Sequence, residues 1–241
     1  MRALDATNFV VSAEIDHHAG DYRAAIPALR NTETIEFRKA VTFFIGENGS
    51  GKSTIMEAIA IAAGFNPEGG SKNFQFETVR REPEESRLVR LMRSPRRPSD
   101  GYFLRAESFF NVATEIDRLG VTRGYGNVSL HEQSHGESFM ALLLNRFLGD
   151  GLYVLDEPEA ALSPMRQLSM LVRLHDLALA GSQFIIATHS PILMAYPEAA
   201  ILQLGDDIRQ VAYEETEHYT VMRDFMNHRQ AMLRELFTEG P

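Results

Sequence analysis

Hydrophobic positions along the chain follow two periods, and the change from one to the other marks the elements. Val41 to Ile45, Leu152 to Leu155 and Phe184 to Ala187 are unbroken apolar runs. Each is too short for a stable helix, and together they have the character of strands covered on both faces of a parallel sheet. Phe9 to Ile15 alternates enough to predict a first strand, Thr34 to Phe37 a second, and Gly101 to Ala106 another. The second is expected to pair with Val41 to Ile45 across the turn at Arg38 to Ala40. Ala200 to Leu204 and Ile208 to Tyr213 flank Gly205-Asp206-Asp207 and predict a hairpin.

Helical spacing takes over between these runs. Ile55, Ala58, Ile59 and Ala62 predict a helix opening at Lys52 and Ser53, and Gly69-Gly70 ends the region after it. Phe139, Leu142, Leu143 and Phe147 predict one over Ser138 to Phe147. Ser163 and Pro164 read as N-cap and first turn of a helix running to about Ala180 and closed by Gly181. A last helix is expected from about Val221 to Phe237. Leu88, Leu91 and Met92 give the arginine-rich segment before Gly101 a helical stripe as well. Strands alternating with helices predict an α/β fold: a mainly parallel sheet flanked by helices, with an antiparallel β portion at the N-terminus and a short helical insertion.

Composition narrows the class. With 241 residues and 44% hydrophobic content the chain suits a single domain over 1–241, with a small inserted helical subdomain at about 80–148. No cysteine and no apolar run of membrane-spanning length occur, so a soluble, cytoplasmic protein with no membrane partner is expected. The net charge of −9 argues against strong general affinity for nucleic acid. Arg80 to Arg97 departs from that balance, with seven arginines against three glutamates. A solvated helix with Arg/Glu pairs is the reading preferred to a polyanion contact. DNA therefore stays an open partner. His17 and His18 read as surface residues, because no further ligand lies at a metal-binding spacing.

The chemistry concentrates at the ends of the apolar runs. GENGSGKS, from Gly46 to Ser53, satisfies G-x-x-x-x-G-K-[ST] between a strand and a helix. Such a loop points successive backbone N–H groups at phosphate oxygens, and the helix N-terminus adds a favourable partial charge. Lys52 would reach the β- and γ-phosphates and Ser53 would bind Mg²⁺. After Leu155 come Asp156, assigned to the metal's outer sphere, and Glu157, assigned as general base for a water. FIIATHS places His189 after a buried strand, where it would contact the γ-phosphate. QSHGES sets Ser134 and Gly136 before a helix, which again suits a phosphate.

GENGSGKS, QSHGE, VLDEPEAALS and ATHS in this order resemble the ABC-type ATPases, nearest to the soluble SMC and RecF-like branch, over Ala28 to Pro191. Small stand-alone bacterial ATPases are similar too. The resemblance implies ATP and Mg²⁺ as ligands and a head-to-tail homodimer that closes around two ATP molecules. It implies that Gly46, Glu47, Asn48, Gly49, Ser50, Gly51, Lys52, Ser53 and Thr54 cradle nucleotide, that Lys52, Glu157 and His189 are catalytic, and that Ser134 and Gly136 act across the dimer. Ala160 to Ser163 correspond to the loop that communicates between sites. Leu29 to Phe37 looks like the branch's first hairpin, which would bring Arg30 and Asn31 to the nucleotide.

Four departures qualify this. Gln133, His135 and Glu137 replace the first, third and fifth residues of the usual LSGGQ signature. Glu107 stands nearest to the place of the usual glutamine and is the candidate second Mg²⁺ ligand. Glu107 to Ser134 is too short for a long coiled coil, and the chain after His189 leaves no room for a fused nuclease domain. An isolated ATPase head coupled to a partner protein or a DNA process is therefore expected. The alternative is a nucleotide-switched binding module with negligible turnover. A transporter motor is weaker because the glutamine region is altered and abbreviated, and a GTPase is disfavoured because no N-K-x-D occurs.

Overall fold

Strands that are apolar on both faces need cover on both sides, and that requirement organises the molecule. The computed structural model describes residues 8–17, 26–71, 88–105 and 134–238. Its strands are β1 (Val10–Ile15), β2 (Thr34–Glu36), β3 (Val41–Ile45), β4 (Gly70–Ser71), β5 (Val89–Arg93), β6 (Asp100–Arg105), β7 (Gly151–Asp156), β8 (Gln183–Ala187), β9 (Ala200–Leu204) and β10 (Ile208–Val211). Its helices are α1 (Pro27–Arg30), α2 (Lys52–Ala63), α3 (His135–Asn145), α4 (Pro164–Leu179), α5 (Pro191–Met194) and α6 (Glu217–Thr238). Among the described residues no helix is long and apolar enough to cross a membrane.

The central sheet has the order β10-β9-β3-β8-β7-β6-β4. From β9 to β6 every neighbouring pair is parallel, and the edge strands β10 and β4 are antiparallel. β2-β1-β5 form a separate antiparallel sheet.

Alternation along the central strands divides the core into two layers. Phe43, Tyr153, Leu155 and Ile186 face Phe139 and Leu142 of α3, Met170 and Leu174 of α4, and Leu193 of α5. Phe44, Val154 and Ile185 face Ile55 and Ile59 of α2, with Ala13, Ile35 and Val89 of the small sheet in the same layer. Each such large side chain removed from water contributes about 1.5–3 kcal/mol.

Local chemistry starts and stops the helices. At α4 the Ser163 hydroxyl accepts from the Arg166 amide at 3.4 Å with Pro164 in the first turn, and Gly181 beyond its end adopts φ +86°. At α3 the Glu137 carboxylate accepts from the Ser134 amide at 3.0 Å and hydroxyl at 2.6 Å. These bonds, the hydroxyl's first, hold the Glu137 carboxyl below the usual carboxylate range.

Several expectations are overturned. Val89–Arg93 is a strand rather than a helix. Its apolar residues satisfy period two at Val89 and Leu91, and antiparallel pairing with β1 brings Arg90 against Glu14 at 2.7 Å. The same segment sends Arg93 to the Ala62 carbonyl, and Arg96 to Asp150 and, at 3.1 Å, the Gly181 carbonyl. Among the described residues of that segment, Arg90, Arg93 and Arg96 are thus engaged within the fold. The described part of the insertion, 88–105 and 134–148, contains β5 and β6 as well as α3, so it is not wholly helical.

β2 pairs with β1 and not with β3, whose neighbours are β8 and β9. Leu29 to Phe37 is not a hairpin: it runs from the one-turn α1 into β2. α3 starts earlier than Ser138 and ends at Asn145, and α6 starts at Glu217 with a non-helical residue at His228. Glu107, Gln133, His18 and the stretch Asn111 to His131 lie outside the described residues.

One buried side chain joins the two sheets. Gln183, at the start of β8 and 1% exposed, accepts at its Oε1 from the amides of Phe9 and Val10, both at 2.9 Å, and donates its Nε2 to the Val10 carbonyl at 2.9 Å. Leucine would fill the space and leave those backbone groups without partners. Gln183→Leu is expected to lose about 2–4 kcal/mol of stability. Urea unfolding checks it, with a lower midpoint at unchanged slope.

Candidate phosphate-binding site

β3, β8 and β7 are consecutive neighbours, and their C-terminal ends are level. Ala187 of β8 is paired with Phe44 of β3 on one side and Asp156 of β7 on the other. The residues that follow, from Gly46, Glu157 and Thr188, therefore leave the sheet at one edge, where open parallel sheets bind ligands.

The loop after β3 is shaped by backbone rather than side chains. Gly51 has φ +100°, and a Cβ there would lie 2.8 Å from Ile26 Cγ2. Gly46, at φ +152°, would bring a Cβ to 2.8 Å from the Leu204 carbonyl oxygen. Lys52 opens α2 and is buried at 5% exposure, its ammonium donating to the carbonyls of Gly46 at 2.8 Å and Glu47 at 2.9 Å. Burial lowers its pKa from the ordinary lysine value, opposed by the charges of Glu157, Asp156 and Glu159.

Ser53 is exposed beside it and its hydroxyl lies 3.4 Å from Asp156 Oδ1. A hydroxyl next to a carboxylate is the oxygen chemistry that Mg²⁺ takes when phosphates and water complete its shell. Among the described residues no group of three or more His, Cys, Asp or Glu gathers as a metal cage. The loop, the lysine and the Ser53–Asp156 pair therefore fit a metal-bound polyphosphate.

Glu157 stands in the left-handed region at φ +52°, and its amide donates to the Ala187 carbonyl at 3.0 Å. Its side chain is 42% exposed, with Oε1 3.6 Å from His189 Nε2. The His189 amide donates to Glu159 Oε1 at 2.6 Å, and its ring Nδ1 lies 3.1 Å from His218 Nε2. Burial, then the Lys52 charge, lowers the His189 pKa, while Glu157 opposes the shift. Lost hydration raises the Glu159 carboxyl.

A cavity of about 820 Å³ opens here, lined by the loop from Gly46 to Ser50, by Glu157 and His189, and by Pro27, Gln203, Glu217 and His218. Gly46, Glu47, Asn48, Gly49, Ser50, Glu157 and His189 are thus brought together, and Lys52 joins them through its bonds to Gly46 and Glu47. Arg30, Asn31, Ser134 and Gly136 do not line the cavity. The Asn31 amide nitrogen donates to the Asp206 carbonyl at 2.7 Å, tying α1 to the β9–β10 turn, and Arg30 is exposed. Ser134 is exposed at the head of α3. Gly136 is packed so tightly that a Cβ would meet the Ala161 carbonyl oxygen at 2.7 Å. Glu107 lies outside the described residues.

Glu159, Glu217 and His218 escaped sequence reasoning. Glu159 sits in the motif already singled out, two residues beyond Glu157. His218 lies 29 positions from its partner His189, and no local spacing signals the contact.

Residues 25–133 match a family model described as "AAA domain", and residues 88–195 match one described as "AAA domain, putative AbiEii toxin, Type IV TA system". The DNA replication and repair protein RecF of Leptospira interrogans is 32% identical over 99 residues, 40% of this chain and 22% of that protein. The chain thus spans about a fifth of the length of the curated relatives it matches. Among solved structures, the ADP conformation of an ATP-binding cassette of an ABC transporter overlays with TM-score 0.49 at 16% identity, covering 97% of this chain and 100% of the other. The SMC head domain from Thermotoga maritima overlays with TM-score 0.45 at 17% identity, covering 85% and 100%.

The backbone at Glu157 gives a test of the local geometry. Glycine adopts φ +52° freely, whereas a β-branched residue does not. Glu157→Gly is expected to be at least as stable as the wild type, and Glu157→Val to be less stable by about 1–3 kcal/mol. Thermal unfolding of the two variants side by side checks the order.

Proposed function

We propose that the chain, two stretches of which match AAA-domain family models, binds ATP with Mg²⁺ and hydrolyses it in a closed homodimer. The observation that carries this reading is the level ending of β3, β8 and β7, which supports a common site for Lys52, Asp156, Glu157 and His189.

Each residue has a role that follows from its chemistry. Backbone N–H groups of the Gly46–Ser53 loop hold phosphate oxygens, and the Lys52 ammonium exchanges its two carbonyl partners for phosphate oxygens. Ser53 and Asp156 hold Mg²⁺, which when bound neutralises charge that develops on the transferring phosphoryl group. Glu157 orients a water and takes its proton as the water oxygen attacks the γ-phosphorus. The bond from phosphorus to the bridging oxygen breaks and ADP leaves. His189 donates a hydrogen bond to the γ-phosphate. Ser134 and the α3 N-terminus of a second copy close on that phosphate, which agrees with the exposure of Ser134 and its absence from the cavity lining.

A second reading, a nucleotide switch that docks a partner and barely turns over, has one observation in its favour. An apolar groove of about 500 Å³ runs between α4, α5 and α6, with Leu168, Ile192, Tyr219 and Met226 in its lining. A partner protein held there would need binding and release more than turnover. DNA is the less favoured partner, because Arg90, Arg93 and Arg96 already have partners in the fold.

Phosphate release and solution mass separate these readings. Wild type is expected to release phosphate from MgATP. Lys52→Ala should lose nucleotide binding, and Glu157→Gln should bind ATP, lose at least about a hundredfold in kcat and accumulate as a dimer. A fully active monomeric Glu157→Gln would sink the enzyme reading. Wild-type release no faster than Lys52→Ala would favour the switch.

A further inference from the structure

Beside the residues assigned above, the cavity is lined by the first turn of α6, through Glu217 and His218. That turn is anchored. Thr216, fully buried, accepts at its hydroxyl from the Tyr219 amide at 3.3 Å, and the Tyr213 hydroxyl donates to the Pro191 carbonyl at 3.0 Å. Pro191 lies two residues beyond His189, so α6 is held against the segment that carries the histidine. The two imidazole rings stand 5.3 Å apart between centroids, with His189 Nδ1 and His218 Nε2 3.1 Å apart.

Burial lowers the pKa of both rings, which favours their neutral forms. A contact between two neutral imidazoles contains one proton, which belongs to one nitrogen or the other. If His189 donated from Nδ1, its Nε2 would turn a lone pair toward the Glu157 carboxylate 3.6 Å away. His218 Nδ1 would also become a buried N–H, and that atom has no hydrogen-bond partner among the described residues. Either tautomer leaves one buried N–H without a hydrogen-bond partner among the described residues, and the cost is lower where a carboxylate stands nearby. With the proton on His218 Nε2, the N–H without a hydrogen-bond partner is instead on His189 Nε2, where the Glu157 carboxylate 3.6 Å away attracts it.

We propose that His218 is a positioning residue: by donating from Nε2 to His189 Nδ1 it fixes the tautomer and ring orientation that aim the His189 Nε2–H at Glu157 and at the γ-phosphate of a bound nucleoside triphosphate. This rests on the ATPase reading and extends it, because it makes the first turn of α6 part of the apparatus that distinguishes a triphosphate from a diphosphate. A diphosphate lacks the acceptor that the aimed N–H would meet. The arrangement follows the general logic in which a ring nitrogen's role is set by the bond that the other ring nitrogen makes.

The first test needs no nucleotide. Long-range ¹H–¹⁵N spectra of the imidazoles of wild type should assign His189 as the Nε2–H tautomer, and an Nδ1–H tautomer would overturn the proposal. The second compares His218→Gln, whose amide N–H can reach the same acceptor, with His218→Ala. Affinities for ADP and for a non-hydrolysable ATP analogue, measured by calorimetry with Mg²⁺, should show that Ala loses about tenfold in preference for the triphosphate while its ADP affinity is unchanged. Gln should retain most of the preference, and kcat should follow the same order.

Equal losses in Ala and Gln would assign His218 to packing alone, and an unchanged Ala variant would remove it from the site; either result overturns the proposal. Failure of the underlying reading looks different. Wild type would then bind neither nucleotide more tightly than Lys52→Ala, whatever stands at 218.

Discussion

The level termination of three adjacent parallel strands is the constraint on which the rest of the structure depends. A parallel strand covered on both faces must leave the sheet into solvent at its C-terminal end, and its polar residues collect there. Here the ladder that pairs Ala187 with both Phe44 and Asp156 makes the exits of β3, β8 and β7 coincide. The glycine loop, the acidic pair and His189 are far apart in the chain, and only that register joins them. The two apolar layers matter for function because they hold the register.

Within this frame the candidate site concentrates unfavourable arrangements at the strand ends. Lys52 is buried with only carbonyl hydrogen-bond partners among the described residues, Glu157 occupies a backbone region that disfavours side chains, and a His189 ring nitrogen has no hydrogen-bond partner among the described residues. Each is an unfavourable arrangement for a protein selected for stability alone. Under the proposed ATPase reading, Lys52 and His189 would each meet a phosphate oxygen in the cavity. Structural demands elsewhere are met more fully, as at Gln183, where one side chain satisfies three backbone groups.

The arginine-rich segment shows how local pattern and tertiary context compete. Leu88, Leu91 and Met92 fit a helical stripe, while Val89 and Leu91 fit a strand, and nothing local chooses between the periods. The choice falls to β1, which offers an open edge and a glutamate at the right register. Once β5 is paired there, its arginines face partners within the chain. A segment with the composition of a nucleic-acid contact thereby becomes a brace for the small sheet and the β6–β7 edge.

By itself the sequence determined the elements whose signals are local. The apolar runs of β3, β7 and β8, the glycine loop before Lys52, the Ser163-Pro164 start of α4 and the Gly205-Asp206-Asp207 turn all follow from interactions within a few residues. Their order was enough to group the phosphate loop, Asp156, Glu157 and His189, which the strand ends bring to one edge of the sheet. Tertiary structure alone decided which strands are neighbours: β2 joined β1, and β9 joined β3, because sheet pairing is set by long-range burial and not by loop length. It also decided that His218 lines the cavity while Arg30 and Asn31 are not among its lining residues. A contact between two rings 29 residues apart leaves no periodic trace, since it depends on how a C-terminal helix docks against the end of a strand.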